Sequence, residues 1–202
     1  MRDHLRAGVA IYNEGRYHAA HDAWEDHWLD LSQGTDDERL LHGLIQFTAV
    51  VHHLDDGNHS GATGLAESGR AYLADLPATY REIELDAVRS FLGRAATAPR
   101  ELTPDDAPPL VYEGQRLTYD DLDFEATAVA ARILAEGEDE DAVDAGIEYA
   151  REEVAADESG TYTGLVFAFV REPDRRPIVA TRLGEHVQRR EHRESDVDGL
   201  FE

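Results

Sequence analysis

Apolar residues recur at helical spacing along most of the chain and predict a mainly α-helical protein. The pattern is clearest in residues 37–56, where the flank beside the apolar stripe is apolar too, so this helix is expected to be central. Residues 161–170 also fit a strand, but the spacing of their apolar residues favours a helix. The predicted helices cover 3–14, 17–32, 37–56, the stretch from a cap at Asn58 or Ser60 to about 76, 84–95, 120–136, 139–156, 161–170 and 176–194.

Prolines interrupt the helical pattern after the fifth predicted helix. Four of them lie in residues 97–109, which is typical of a loop or linker. Residues 110–118 then fit a small β-hairpin that turns at Gly114. The sequence therefore predicts an all-α fold, with a compact bundle of about five helices at 1–97, a proline-rich connector at 98–118 and a C-terminal helical region at 119–202.

The 202-residue chain is strongly acidic: 43 Asp and Glu stand against 19 basic residues, all of them Arg, for a formal net charge of −24. It lacks the basic footprint that phosphates need, so we expect no binding of nucleic acid. At about 1 M salt the Debye length is only about 3 Å, and surface carboxylates repel one another weakly. The acid excess and the absence of Lys therefore predict a protein adapted to molar salt, in which most carboxylates serve solvation.

Composition also bears on location and on the kinds of site. The absence of Cys excludes disulfides, thiolate metal sites and cysteine nucleophiles. No apolar run approaches the ~18 residues of a membrane span, and the first residues lack the apolar core of a signal peptide. We therefore expect a cytoplasmic protein with no membrane contact. Residues 171–193 carry seven Arg after an acidic stretch at 136–158, which fits ion pairing within the chain or between subunits, or two separately solvated faces.

Histidines are concentrated at one end of the chain, with eight of ten in the first 59 residues. His21 and Glu25 are four residues apart, so their side chains reach the same side of the second helix. On the third helix His42, Gln46 and His53 fall within ~40° of one another, opposite the apolar stripe. Because buried polar groups need partners, we expect the pair on the second helix to face Gln46 and His53.

Three interpretations of this polar cluster remain open. In the first, His21, Glu25 and His53 are ligands of a divalent transition metal such as Zn, Mn, Fe or Ni, with open positions for water. In the second, the same groups bind an organic ligand, or Glu25 orients His21 as a catalytic acid–base pair. In the third, they form a buried network that sets helix register. His52 projects about 100° from His53 and is expected outside the cluster.

Other side chains are candidates for binding a small ligand. Gln46 and His42 belong to the polar seam of the third helix, and Trp28 fits either a pocket wall or the core. Asn58 precedes a helix whose N-terminus could hold an anion, or it is an ordinary helix cap.

These motifs resemble those of the DUF309 family, a prokaryotic family of unknown function, over about residues 3–95. The matching segments are Gly15-Arg16-Tyr17, His21 to Trp28 read as H-x-x-x-E-x-x-W, Gly43 to Gln46, His53 to Asn58, and Gly61-Ala62. The resemblance implies a compact all-helical bundle. It also implies that the family's motif positions are His21, Glu25, Trp28, Gln46, His53, Gly57, Asn58, Gly61 and Ala62. It supplies no activity.

The functional expectation is a protein with a polar site between helices 2 and 3 that binds a divalent transition metal or a small ligand. Metal-dependent hydrolysis, with Glu25 and His21 as the catalytic residues, is the reaction that such a site would support. The alternative is a non-enzymatic interaction or structural module, in which the polar cluster only fixes helix packing. Its partner surface would be residues 171–193, against an acidic protein or a second copy of the chain.

Overall fold

The computed structural model describes residues 1–158 and 160–198 and divides the chain into two compact units. The first unit runs from Met1 to Leu122, and the second begins at Asp123. Both units are built from α-helices, which confirms the all-α fold class. Among the described residues, no helix is long and apolar enough to cross a membrane.

Five helices form the first unit, each within a few residues of a predicted one. They are α1 (Arg2–Asn13), α2 (Tyr17–Trp28), α3 (Asp36–Asp55), α4 (His59–Leu73) and α5 (Asp86–Thr97). The second helix ends earlier than its predicted boundary at residue 32. Leu29 is 69% exposed there, so the apolar stripe that would extend the helix has no surface to pack against.

A short hairpin that the sequence pattern did not predict lies between α4 and α5. Its strands β1 (Thr79–Tyr80) and β2 (Ile83–Glu84) pair antiparallel. Arg81 and Glu82 between them both have positive φ, 48° and 66°, which is the backbone geometry of a tight two-residue hairpin turn. Strands of two residues are too short to produce a detectable alternation of apolar and polar positions.

The hairpin predicted at residues 110–118 is shorter than expected. It turns at Gly114 as predicted, but a single bridge between Tyr112 and Gln115 takes the place of paired strands. Tyr112 also bridges to Ile83, so this turn packs beside β2.

The proline-rich segment belongs to the first unit. It packs on the end of α1, where the buried Asn13 side chain donates hydrogen bonds to the carbonyls of Leu110 (2.9 Å) and Leu117 (3.0 Å). The Asn13 side-chain oxygen Oδ1 in turn accepts a hydrogen bond from the Leu110 backbone N–H at 2.9 Å. Residues 98–122, which include the predicted proline-rich connector, therefore pack on the helical bundle within the first unit.

The helix α3 lies at the centre of the first unit, packed on α2 and on α4. It begins at a cap, because the Thr35 hydroxyl accepts a hydrogen bond from the Glu38 backbone N–H at 3.3 Å. Leu40, Leu44 and Phe47 are fully buried, which confirms the predicted apolar stripe. With a neighbour on each side, α3 has two polar edges, and the candidate site residues divide between them.

The helix α2 is fixed against α1 by a close approach at Gly8. The indole of Trp24 is fully buried there, and a Cβ placed on Gly8 would stand 2.1 Å from the Trp24 Nε1 atom. Further along α2, the His27 ring stacks on His4 of α1 with 4.8 Å between ring centroids. These contacts determine which face α2 turns toward α3.

The second unit contains α6 (Phe124–Leu134), α7 (Glu140–Ala155), α8 (Thr161–Arg171) and α9 (Arg176–Asp198). The ambiguous residues 161–170 are thus helical. Arg190 of α9 pairs with Glu152 of the acidic α7, whereas Arg189 pairs within its own segment, with Glu185. Pairing between the acidic and the Arg-rich segments is therefore real but partial.

Candidate functional site

The helix α2 carries two polar pairs side by side, each four residues apart. They are His18 with Asp22 and His21 with Glu25. The His18 Nδ1 atom lies 3.0 Å from Asp22 Oδ2, and the His21 Nε2 atom lies 3.7 Å from Glu25 Oε2. The side chains of His21 and Glu25 are 29% and 46% exposed, so solvent and ions reach both of them.

These four side chains line an open cleft of about 300 Å³ between α2 and α3. Thr48, Ala49 and His52 line it from α3, and Tyr17 completes the lining. The His52 ring lies edge-on to the ring of His18, with 6.4 Å between the centroids. Its Nε2 atom is 3.3 Å from Asp56 Oδ2, one turn further along α3.

A metal-ligand geometry is present on the α2 wall of the cleft. Among the described residues, His21, Asp22 and Glu25 form the group of His, Asp or Glu side chains whose ligand atoms all lie within 4.8 Å of one another. In a tetrahedral site with bonds of about 2.0–2.2 Å, ligand atoms stand about 3.4 Å apart. The 3.7 Å between His21 Nε2 and Glu25 Oε2 is close to that value. The third member of this group is Asp22, whereas the sequence predicts His53 as the third ligand.

The phenol of Tyr17 stays neutral in this cleft. Partial burial, together with the carboxylates of Asp105 and Asp55, raises its pKa above the ordinary value against a smaller opposite effect of Arg116. A neutral phenol is a hydrogen-bond donor and not an anionic metal ligand. Tyr17 is therefore suited to orienting a bound molecule or water.

Trp28 and His42, two predicted ligand-binding residues, meet in a network centred on Glu38. The Trp28 Nε1–H donates to Glu38 Oε1 at 3.1 Å, and His42 Nδ1 lies 3.3 Å from the same oxygen. The His42 ring also stacks on Tyr72 of α4, with 3.8 Å between centroids. Burial alone would raise the pKa of Glu38, but hydrogen bonds from Trp28, the Gly34 backbone N–H and His42 hold it below its usual value. The ionised carboxylate thus ties α2 to α3, and the stacking of His42 on Tyr72 extends the network to α4.

Gln46 and His53 point toward α4 and lie outside the cleft lining. Gln46 packs against Gly69 of α4, and its Oε1 atom is buried with no hydrogen-bond partner in the described part of the chain. The His53 Nδ1 atom accepts a hydrogen bond from Asn58 Nδ2 at 3.0 Å. Asn58 itself caps α4 by accepting from the Gly61 backbone N–H at 3.1 Å.

The expected meeting of His21 and Glu25 with Gln46 and His53 is therefore not what the structure has. Helical spacing places Gln46 and His53 on one face of α3, but that face packs on α4 and not on α2. The sequence pattern placed Gln46 and His53 together on one polar edge of α3. Because α3 has polar residues on both edges, it assigned that edge to α2, whereas the edge faces α4.

Comparison with known proteins bears on the segment that contains the cleft. Residues 5–65 match the model of DUF309, described as a domain of unknown function. These residues, which we call the DUF309 segment, are similar to that family. The DUF309 segment includes all of α2 and α3, and so both walls of the cleft.

A longer stretch is 24% identical over 88 residues to an uncharacterized protein of Aquifex aeolicus strain VF5. The alignment covers 44% of this chain and 26% of that protein, so this chain matches about a quarter of its relative's length. Neither similarity assigns an activity to the DUF309 segment.

Three further His and Asp residues line the cleft without having been predicted from the sequence: His18, Asp22 and His52. A signal for the first two was present, because two interleaved i, i+4 pairs on one short helix must form a continuous polar patch. For His52 the signal is Asp56 four residues later, which mirrors the pairing on α2. In each case a charged partner one turn away marks the histidine.

Proposed function

We propose that the DUF309 segment of this chain is a metal-binding domain that holds one divalent transition-metal ion on α2. His21, Asp22 and Glu25 would be its ligands. The observation that most supports this function is one imidazole nitrogen and two carboxylate oxygens within 4.8 Å of one another on the wall of an open cleft.

The chemistry of these ligands favours particular ions. Mixed imidazole and carboxylate donors suit Zn²⁺, Mn²⁺, Fe²⁺ and Ni²⁺, whereas Ca²⁺ and Mg²⁺ prefer sites built wholly from oxygen. The net charge of −24 raises the local concentration of any cation. It does so over the whole surface, so a specific site must be separated from diffuse binding by a matched control.

Hydrolysis of a small molecule is the reaction that we propose for the loaded site. Three protein ligands leave a coordination position open for water, and a bound metal brings the pKa of that water to about 7. A cleft of about 300 Å³ has the size of a small-molecule pocket. Glu25 would accept the proton of the water through its free oxygen, while His21 stays on the metal and the neutral Tyr17 hydroxyl orients the substrate.

The first experiment is a measurement of bound metal in the full chain, purified without a tag or chelator in molar KCl. We expect about one transition-metal ion per chain by mass spectrometry, and loss of that ion in a folded His21→Ala variant. A double variant in the acidic stretch at 136–158, Glu136→Gln with Glu138→Gln, removes two charges outside the DUF309 segment and is expected to retain the ion. Equal metal content in all three proteins, or none in the parent after remetallation, would reject the proposal.

A non-enzymatic structural or protein-interaction role is the second candidate, and the Glu38 network favours it. That network shows that polar groups between these helices can be engaged in packing alone. The variant Glu25→Gln separates the two functions. If it folds but loses metal or activity, the metal site is supported; if it fails to fold, Glu25 serves packing.

We also infer that the chain works at high salt. The inference is supported by 43 acidic residues and the complete absence of Lys. Screening of the mutual repulsion between these carboxylates would then be a condition of stability.

A further inference from the structure

We propose that His52 of α3 is a fourth ligand of the metal site, and that Asp56 is the residue that positions it. This inference rests on the proposed metal site at His21, Asp22 and Glu25. It makes the ion a bridge between α2 and α3, so that metal binding controls how firmly the two helices of the cleft are held together.

The contacts of His52 determine which of its nitrogens is available. Its Nε2 atom lies 3.3 Å from Asp56 Oδ2. With Nε2 donating its hydrogen to that carboxylate, the lone pair resides on Nδ1. Metal-bound histidines commonly donate their other ring N–H to a carboxylate, which fixes the tautomer and the ring orientation. The Nε2 atom of His52 and the carboxylate of Asp56 lie close enough for such a pairing.

The position of His52 places it on the wall of the cleft that contains the proposed metal site. His52 lines the same cleft as His21, Asp22 and Glu25. The centroid of the His18 ring lies 6.3 Å from that of His21 and 6.4 Å from that of His52. Thr48 and Ala49, one turn earlier on α3, are small. The His52 side chain is 52% exposed, so solvent and ions reach it.

A fourth ligand has a consequence for chemistry. Four protein ligands complete the coordination of tetrahedral Zn²⁺, which is the pattern of a structural site. A six-coordinate ion such as Mn²⁺ keeps two positions for water and substrate. With Zn²⁺, water would enter only when His52 leaves the ion. His52 would thus regulate the hydrolytic capacity of the site.

The sequence offers a matched control, because His53 stands next to His52 and faces α4. The test is a titration of the full chain with Co²⁺, whose visible absorption reports both affinity and coordination number. The proteins compared are the parent and the variants His21→Ala, His52→Ala, His53→Ala and Asp56→Asn. Circular dichroism verifies that each variant is folded.

We expect His52→Ala to weaken Co²⁺ binding about 100-fold and Asp56→Asn about 10-fold, the range seen when residues that orient metal ligands are changed. His53→Ala should bind Co²⁺ like the parent, and His21→Ala should abolish the site. If His52→Ala binds like the parent while His21→Ala does not bind, the bridge is wrong and the proposed metal site stands. If the parent has no Co²⁺ site, or His21→Ala keeps it, the proposed function itself fails.

A second measurement needs no variant. Histidine labelled with ¹⁵N in the Co²⁺-loaded parent should show paramagnetic shifts for the rings of His21 and His52, with the His53 ring shifted much less. A directly coordinated His53 ring beside an unaffected His52 would overturn the inference and restore the ligand set expected from the sequence.

Discussion

The contact between Gly8 and Trp24 gives the sharpest test of how α2 is held. The substitution Gly8→Ala adds one methyl group to α1, opposite the indole of Trp24. That methyl carbon would stand 2.1, 2.3 and 2.8 Å from three atoms of the ring, and ordinary contact begins at 3.4 Å. Since Trp24 is fully buried, the ring has no solvent-filled space into which it can move.

The cost follows from two opposing effects. Alanine is favoured over glycine inside a helix by about 1 kcal/mol. Overpacking of a dense core costs about 1–3 kcal/mol, and displacing the indole altogether approaches the ~3–5 kcal/mol of losing a buried Trp. We therefore expect Gly8→Ala to lower the free energy of unfolding by about 2–4 kcal/mol, and the melting temperature by about 2–4 °C for each kcal/mol.

The assay is urea unfolding followed by Trp fluorescence in molar KCl. Both Trp residues of the chain lie in the first unit, so the signal reports that unit alone. Gly64→Ala is the matched control. Gly64 lies within α4 with no atom within 4 Å of its would-be Cβ, so the same substitution there should stabilise by up to ~1 kcal/mol. If both variants are stabilised alike, the close packing of α2 on α1 is refuted.

Three further outcomes are expected. Asn13→Ala should cost about 3 kcal/mol or more, because buried backbone groups of Leu110 and Leu117 lose their partners; limited proteolysis should then cut first within residues 98–122. Burial, then the amino terminus and His4, lower the pKa of His27, so the folded state favours neutral His27. Stability should therefore fall as the pH drops below about 6.5, the pKa of an unfolded histidine, and urea midpoints of His27→Asn should depend less on pH than those of the parent. Raising KCl from about 0.1 to 2 M, which shortens the Debye length from about 10 Å to below 3 Å, should raise the urea midpoint of the parent; an unchanged midpoint would contradict adaptation to high salt.

The helices were predictable because each one repeats its apolar residues at a spacing that only a helix brings to one face. The fully buried Leu40, Leu44 and Phe47 are the clearest case. The attachment of the proline-rich segment was not predictable in this way. It depends on Asn13, whose partner Leu110 lies 97 residues away, and a single polar residue at the end of an amphipathic helix carries no information about so distant a contact.

The candidate site was predictable from the sequence only in part. Helical spacing groups residues by face, and it correctly joined His21 with Glu25 and Gln46 with His53. It contains no information on which neighbouring helix each face meets. One residue along α3 corresponds to about 100° of rotation, so His52 and His53 are directed to different neighbours.

That difference between adjacent histidines has a chemical meaning. His53 accepts a hydrogen bond from Asn58, which caps α4, so its lone pair is used to join two helices. His52 is paired with a carboxylate through Nε2, so its second nitrogen remains for a ligand in the cleft. Both residues carry the same side chain, and only their rotation about α3 separates the packing contact of His53 from the binding role that we propose for His52. If metal binding depends on His52 and not on His53, the orientation of α3 relative to α2, and hence the Gly8 contact that fixes α2, is a condition of function as well as of stability.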